Sequence, residues 1–142
     1  MRYFSYILRF IVERSIISSC VGTSDFNQSL ITSPNYPNGY GDNQSCWWRI
    51  WAEEGQIIEL KIEEFELEYS SECTYDWLQA YDGTNSSART LLGRKLCGSS
   101  TFTTPDKIRT EGPDLYLEFH SDISHIEKGF KISYTFKGKH SE

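Results

Sequence analysis

Apolar and polar residues alternate with a period of two in three separate stretches of this chain. Ile58, Leu60 and Ile62 are interleaved with Glu59 and Lys61. Leu115, Leu117 and Phe119 are interleaved with Tyr116, Glu118 and His120. Phe130, Ile132, Tyr134 and Phe136 are interleaved with Lys131, Ser133 and Thr135. Successive side chains of an extended backbone point to opposite faces, so each stretch is a strand with one face to bury. Cys46-Trp47-Trp48-Arg49-Ile50-Trp51 reads the same way, with Cys46, Trp48 and Ile50 on one face; residues 76–81 read as another strand, ended by Asp82-Gly83. Between these runs lies turn chemistry, above all Ser33-Pro34-Asn35-Tyr36-Pro37-Asn38-Gly39. No segment has a helical period. The expected fold is all-β, an antiparallel two-sheet β-sandwich, and 142 residues suffice for one such domain. An aromatic content of 15% supplies the bulk its inward positions need.

The four cysteines are Cys20, Cys46, Cys73 and Cys97, and no two are spaced as C-x-x-C. That disfavours a zinc or redox site and favours two disulfides formed in an oxidising compartment. Three pairings are possible. Cys20–Cys46 with Cys73–Cys97 is preferred because each closes a modest loop, stabilising by roughly 3 kcal/mol in the chain-entropy picture. Sequons at Asn27, Asn43 and Asn85 agree with an extracellular chain and are the candidate glycosylation sites.

The first 19 residues fit the sandwich pattern least. Met1-Arg2 and the mostly apolar run Tyr3 to Leu8 look like the start of a signal peptide, but Arg9, Glu13 and Arg14 interrupt it. Residues 1–19 are therefore expected to be a leader or linker outside the fold, 20–137 the domain, and 138–142 a polar tail. No run of 18 apolar residues occurs, so no transmembrane segment is expected. The net charge of −6 argues against nucleic acid and for cationic partners or metal ions.

The negative charge is concentrated. Residues 63–76 hold six acidic residues, a cysteine and two tyrosines between two strand-like runs. A second acidic loop, Ser121-Asp122-Ile123-Ser124, follows a later strand. If the fold brings these loops together, they make an oxygen-rich surface suited to a hard cation such as calcium and to a basic partner.

The order Cys20, Ser33-Pro34-Asn35-Tyr36-Pro37, Tyr40, Cys46-x-Trp48, Phe65-x-Leu67-Glu68, Cys73-x-Tyr75-Asp76, Tyr81-Asp82-Gly83, Cys97-Gly98, Phe119-x-Ser121-Asp122 and Gly129-Phe130 closely resembles a CUB domain over about residues 20–136. The resemblance implies a jelly-roll-like sandwich with first-to-second and third-to-fourth disulfides. It implies an extracellular interaction module without catalytic activity, of the kind found in cubilin, tolloid-like proteases and complement-activating proteases. It also implies Ca2+ held by Glu68, Asp76 and Asp122, with carbonyl oxygens around Ser124 and His125 added. Glu68 and Asp122 would then accept a Lys or Arg of a partner protein, with Tyr36 supporting the acidic cluster. The module would belong to a larger receptor, matrix or protease-associated protein; the alternative is a small stand-alone secreted protein of spermadhesin type that binds glycans.

Other residues carry plainer expectations. Glu63, Glu64, Glu66 and Glu72 read as a solvated face, Tyr75 and Tyr81 as packing residues, and His120 and His140 as surface residues. Trp47 and Trp51 fall on the strand face opposite Trp48, either beneath a loop or the leader or as an exposed aromatic patch. Glu68 and Asp76 could serve glycoside hydrolysis as a carboxylate pair, but the chain is small and carries no nucleophile–base motif, so no enzyme is expected.

Overall fold

A computed structural model of the chain describes residues 11–13, 15–99 and 107–139. Among the described residues ten strands carry the fold: β1 (Ile11–Glu13), β2 (Ile16–Ser18), β3 (Ser24–Asp25), β4 (Leu30–Thr32), β5 (Ser45–Trp51), β6 (Gln56–Glu66), β7 (Trp77–Tyr81), β8 (Lys107–Arg109), β9 (Asp114–His120) and β10 (Gly129–Gly138). They form two five-stranded sheets, ordered β1-β2-β5-β9-β7 and β3-β4-β10-β6-β8. Every recorded pairing is antiparallel. The expected all-β sandwich is therefore present, and among the described residues the helical content is one short 3-10 turn, Ser71–Cys73.

The alternating residues meet between the sheets. Trp48, Ile50, Leu115, Leu117 and Phe119 face Ile31, Ile58, Leu60, Phe130 and Ile132, each at most 1% exposed. Phe130 is the hinge point of this packing. Trp48 and Phe119 of the other sheet meet its ring edge-on, with centroids 5.9 and 5.4 Å away. The indole N–H of Trp48 donates to Thr23 Oγ1 (2.9 Å), and that hydroxyl donates to the Cys20 carbonyl (2.6 Å). The buried polar atom is thereby satisfied beside the first disulfide. The disulfides are Cys20–Cys46 and Cys73–Cys97.

The fold differs from expectation at its N-terminal end. Ile16–Ser18, assigned to the leader, is a strand that pairs with β5, and Ile16 is 1% exposed opposite Ile50. Ile11–Glu13 pairs with it in turn. The reason is that β5 would otherwise present an unpaired edge beside its most buried residues. Residues 1–10 and 14 of the expected leader, and 140–142 of the expected tail with His140, lie outside the described residues. β10 runs on to Gly138, and the Lys139 N–H donates to the Gly55 carbonyl (3.1 Å).

Strand β6 also extends beyond its alternating part to Glu66, absorbing three of the six acidic residues of the stretch into the sheet. A register shift between Lys131 and Ile132 of β10 accommodates it. On the outer face of the first sheet, Trp47 stacks on Tyr116 (5.9 Å), and Arg49 lies over Trp51 (5.8 Å to the ring centre). Both tryptophans are half-buried against their own sheet. His120 is half-buried too, stacked on Trp77.

Candidate metal and partner site

Strand register builds the site. In the β7–β9 pair Trp77 lies opposite His120, so the residues just beyond, Asp76 and Ser121, meet where the strands end. The Asp122 N–H then donates to Asp76 Oδ1 (2.9 Å). Ser121 locks the incoming loop: its Oγ accepts the Gln44 N–H (2.9 Å) and donates to the Gly41 carbonyl (2.8 Å). Glu68 arrives from the other sheet, two residues past β6. Leu67 and Gly98 exchange backbone hydrogen bonds and tie that exit to the segment behind the second disulfide.

Tyr40 joins the two sides. Its phenol donates to Asp76 Oδ2 (2.5 Å) and accepts the Glu68 N–H (3.2 Å). Tyr40 is 2% exposed, and its ring packs edge-on against Phe119. The support expected from Tyr36 thus comes from Tyr40. Tyr36 instead turns toward β10, where its ring lies beside Gly129 and 5.8 Å from Lys128 Nζ. Gly129 is required for this turn: φ is +106°, and a Cβ there would stand 2.0 Å from Ser33 Oγ. Ser33 Oγ also accepts the Phe130 N–H (3.0 Å), anchoring the turn to the core.

Glu68, Asp76 and Asp122 each place a carboxylate oxygen within 4.8 Å of the others. Two oxygens bound to one calcium ion at about 2.4 Å are at most about 4.8 Å apart, so one ion can reach all three. Burial pushes the Glu68 carboxyl above the usual carboxylate range, and the charges of Asp76 and Asp122 push it further. Asp76, wholly buried, is also raised by burial, against the Tyr40 hydroxyl and the Asp122 N–H, which favour its anion. Burial and the neighbouring Asp76 raise the Tyr40 phenol as well. Glu68 Oε1 is buried with no hydrogen-bond partner among the described residues. A cation between the acids would satisfy that oxygen and remove the repulsion.

Ser124 is exposed at the rim, with its N–H donating to Asp122 Oδ1 (3.3 Å). His125 Nδ1 lies 3.1 Å from Ser124 Oγ and 3.3 Å from Glu68 Oε2. Both contacts fall on one ring nitrogen. A nucleophile–base–orienter chain uses the two different nitrogens, so this is not one. Asp76 has both oxygens engaged and no exposure, unlike a carboxylate that must meet a sugar ring. The two acidic loops foreseen from sequence therefore converge; Tyr40, the residue that joins them, was legible only as one member of the spaced pattern. Asn27, Asn43 and Asn85 are all exposed.

The CUB domain family profile matches residues 20–134. Mouse Tolloid-like protein 2 is 41% identical over 115 residues, which cover 81% of this chain and 10% of that protein. The chain thus spans about a tenth of such a relative. Among solved structures, the full extracellular region of zebrafish Gpr126/Adgrg6 matches with a TM-score of 0.65 and 35% identity, over 77% of this chain and 13% of that one. The MASP-1 CUB2 domain bound to Ca2+ matches with a TM-score of 0.63 and 30% identity, over 81% of this chain and 98% of that domain. With the sandwich, both disulfides and a near full-length match to a solved CUB domain in place, the chain belongs to the CUB domain family.

Proposed function

We propose that this domain is an extracellular, calcium-dependent protein-interaction module without catalytic activity, working as part of a larger receptor, matrix or protease-associated protein. The observation that carries this reading is the convergence of Glu68 and Asp76, from the β6–β7 connection, with Asp122, from the β9–β10 connection, within 4.8 Å of one another. The Ca2+-bound MASP-1 CUB2 domain supports the choice of ion. Calcium would occupy the acidic centre, with a carbonyl near Ser124 completing its shell. Asp76 has both oxygens already engaged and orients the site. Glu68 and Asp122 are half-buried, whereas Asp76 is wholly buried. The two half-buried acids would accept charge-assisted hydrogen bonds from a lysine or arginine of the partner. The ion orders the loops before the partner arrives, which lowers the entropic cost of binding. The net charge of −6 favours such a basic protein over an anionic glycan. Asn27, Asn43 and Asn85 are proposed to carry N-glycans.

Calcium titration calorimetry on the full disulfide-bonded chain tests the reading, with Asp76→Ala/Asp122→Ala as control. One saturable site per chain, lost in the control, is the expected result. Absence of binding at millimolar calcium would reduce the loops to solvated acidic surface.

A further inference from the structure

The loops that carry the acids also carry exposed apolar side chains, here called the collar. Five large hydrophobic residues stand out as exposed among the described residues, and four of them lie on the loops that carry the acids. Tyr69, beside Glu68, is 72% exposed; Tyr75, beside Asp76, is 50%; Ile123, beside Asp122, is 75%; Ile126, on the same loop, is 47%. The fifth, Val21, sits next to Cys20. Tyr75 was expected to be a packing residue and is not.

Local structure holds these side chains outward. Ser70 Oγ accepts the N–H groups of Thr74 (3.0 Å) and Tyr75 (3.3 Å), which fixes the turn that presents Tyr75. The Asp122 carboxylate accepts the Ser124 N–H (3.3 Å), an Asx-type turn that puts Ile123 at its tip. Ile126 leans over Gly39, where a Cβ would come within 2.8 Å of its Cγ2.

We propose that the partner is a protein segment presenting a lysine or arginine flanked by apolar side chains, the basic group entering the acidic centre and its neighbours covering Tyr69, Tyr75, Ile123 and Ile126. This rests on the calcium-dependent reading of the same site and names the partner's chemistry. An ion pair rimmed by apolar contacts loses surrounding water, and each charge is felt more strongly as a result. A polycationic partner would be served by a polar rim; four solvated apolar groups would add nothing to its capture. Charge selects the basic residue, and the collar selects its neighbours.

The test is selection from a displayed random peptide library on the full, disulfide-bonded chain in calcium, with elution by a calcium chelator. The expected clones carry Lys or Arg with Leu, Ile, Val, Phe or Trp within two positions. Ile123→Ser and Tyr69→Ser should weaken a selected peptide by about tenfold or more each, with the calcium isotherm unchanged. Chelator-eluted basic clones without apolar neighbours, or clones indifferent to both substitutions, would overturn the collar while leaving the calcium site standing. Calcium binding without any chelator-eluted clone would do the same. A chain that binds no calcium would remove the site reading and the collar with it.

Discussion

Glu59 and Glu68 lie on the same strand or just beyond it, both with side chains largely buried, and the fold treats them in opposite ways. Glu59 sits on the outer face of the second sheet, with Arg109 Nε 2.6 Å, Lys137 Nζ 3.3 Å and Lys107 Nζ 3.9 Å from its carboxylate. Register explains the company: Arg109 is directly opposite it on β8, and Lys137 is diagonal to it on β10. Burial raises the Glu59 carboxyl, but Arg109 and Lys137 outweigh it and hold the group below its usual range. Glu68 has two carboxylates for company and is pushed the other way. One buried acid is neutralised from within the chain. The other has no such cation pair to offset its burial, and it belongs to the proposed binding site.

The comparison breaks if calcium does not favour the acidic end. With free calcium about a hundredfold above its Kd, linkage gives about 2.7 kcal/mol of added stability. We expect that gain in thermal melts of the native chain, and none in Asp76→Ala/Asp122→Ala. Glu59→Gln should keep the whole gain.

Tyr40→Phe comes next. It strips Asp76 Oδ2 and the Glu68 N–H of their shared partner, and losing such charge-assisted bonds costs about 2 kcal/mol. Chemical denaturation in chelator should read that loss, and calorimetry a weaker calcium site.

Glu59→Gln should cost about 1–2 kcal/mol at neutral pH, because three cations lose their common anion. Glu59 is depressed in the fold, so its contribution is present above the ordinary carboxylate range and lost as pH falls through its folded value. The mutant and native stabilities should converge in acid.

On the calcium-free chain Glu68→Gln has the smallest expected effect, with the opposite sign. Glu68 is raised in the fold, so the calcium-free native state holds more protons than the unfolded chain, and stability falls as pH rises between the unfolded and folded values. Removing the charge should stabilise the calcium-free chain at neutral pH by about 1 kcal/mol while abolishing the calcium gain. Denaturation across pH in chelator, repeated in calcium, checks both. A destabilised, calcium-free Glu68→Gln would mean the acids are not in conflict.

Patterns that act within one strand or one loop were readable in the chain itself. Alternation at 58–62, 115–119 and 130–136 foretold strands and their buried faces, since side-chain direction depends only on the local backbone. The preferred cysteine pairing rested on loop length, and the spaced motif named the three acids. Tertiary structure alone decided what meets what. Pairing with β5 drew Ile16–Ser18 into the sheet despite its leader-like surroundings. The β7–β9 register set Asp76 against Asp122, and the packing of Tyr40 beside Phe119 placed its hydroxyl, and not that of Tyr36, between Asp76 and Glu68. Tyr75 and Ile123 look like core residues by type, and only the tertiary structure leaves them exposed. These outcomes depend on contacts between residues far apart in the chain, and local propensity carries no information about such contacts.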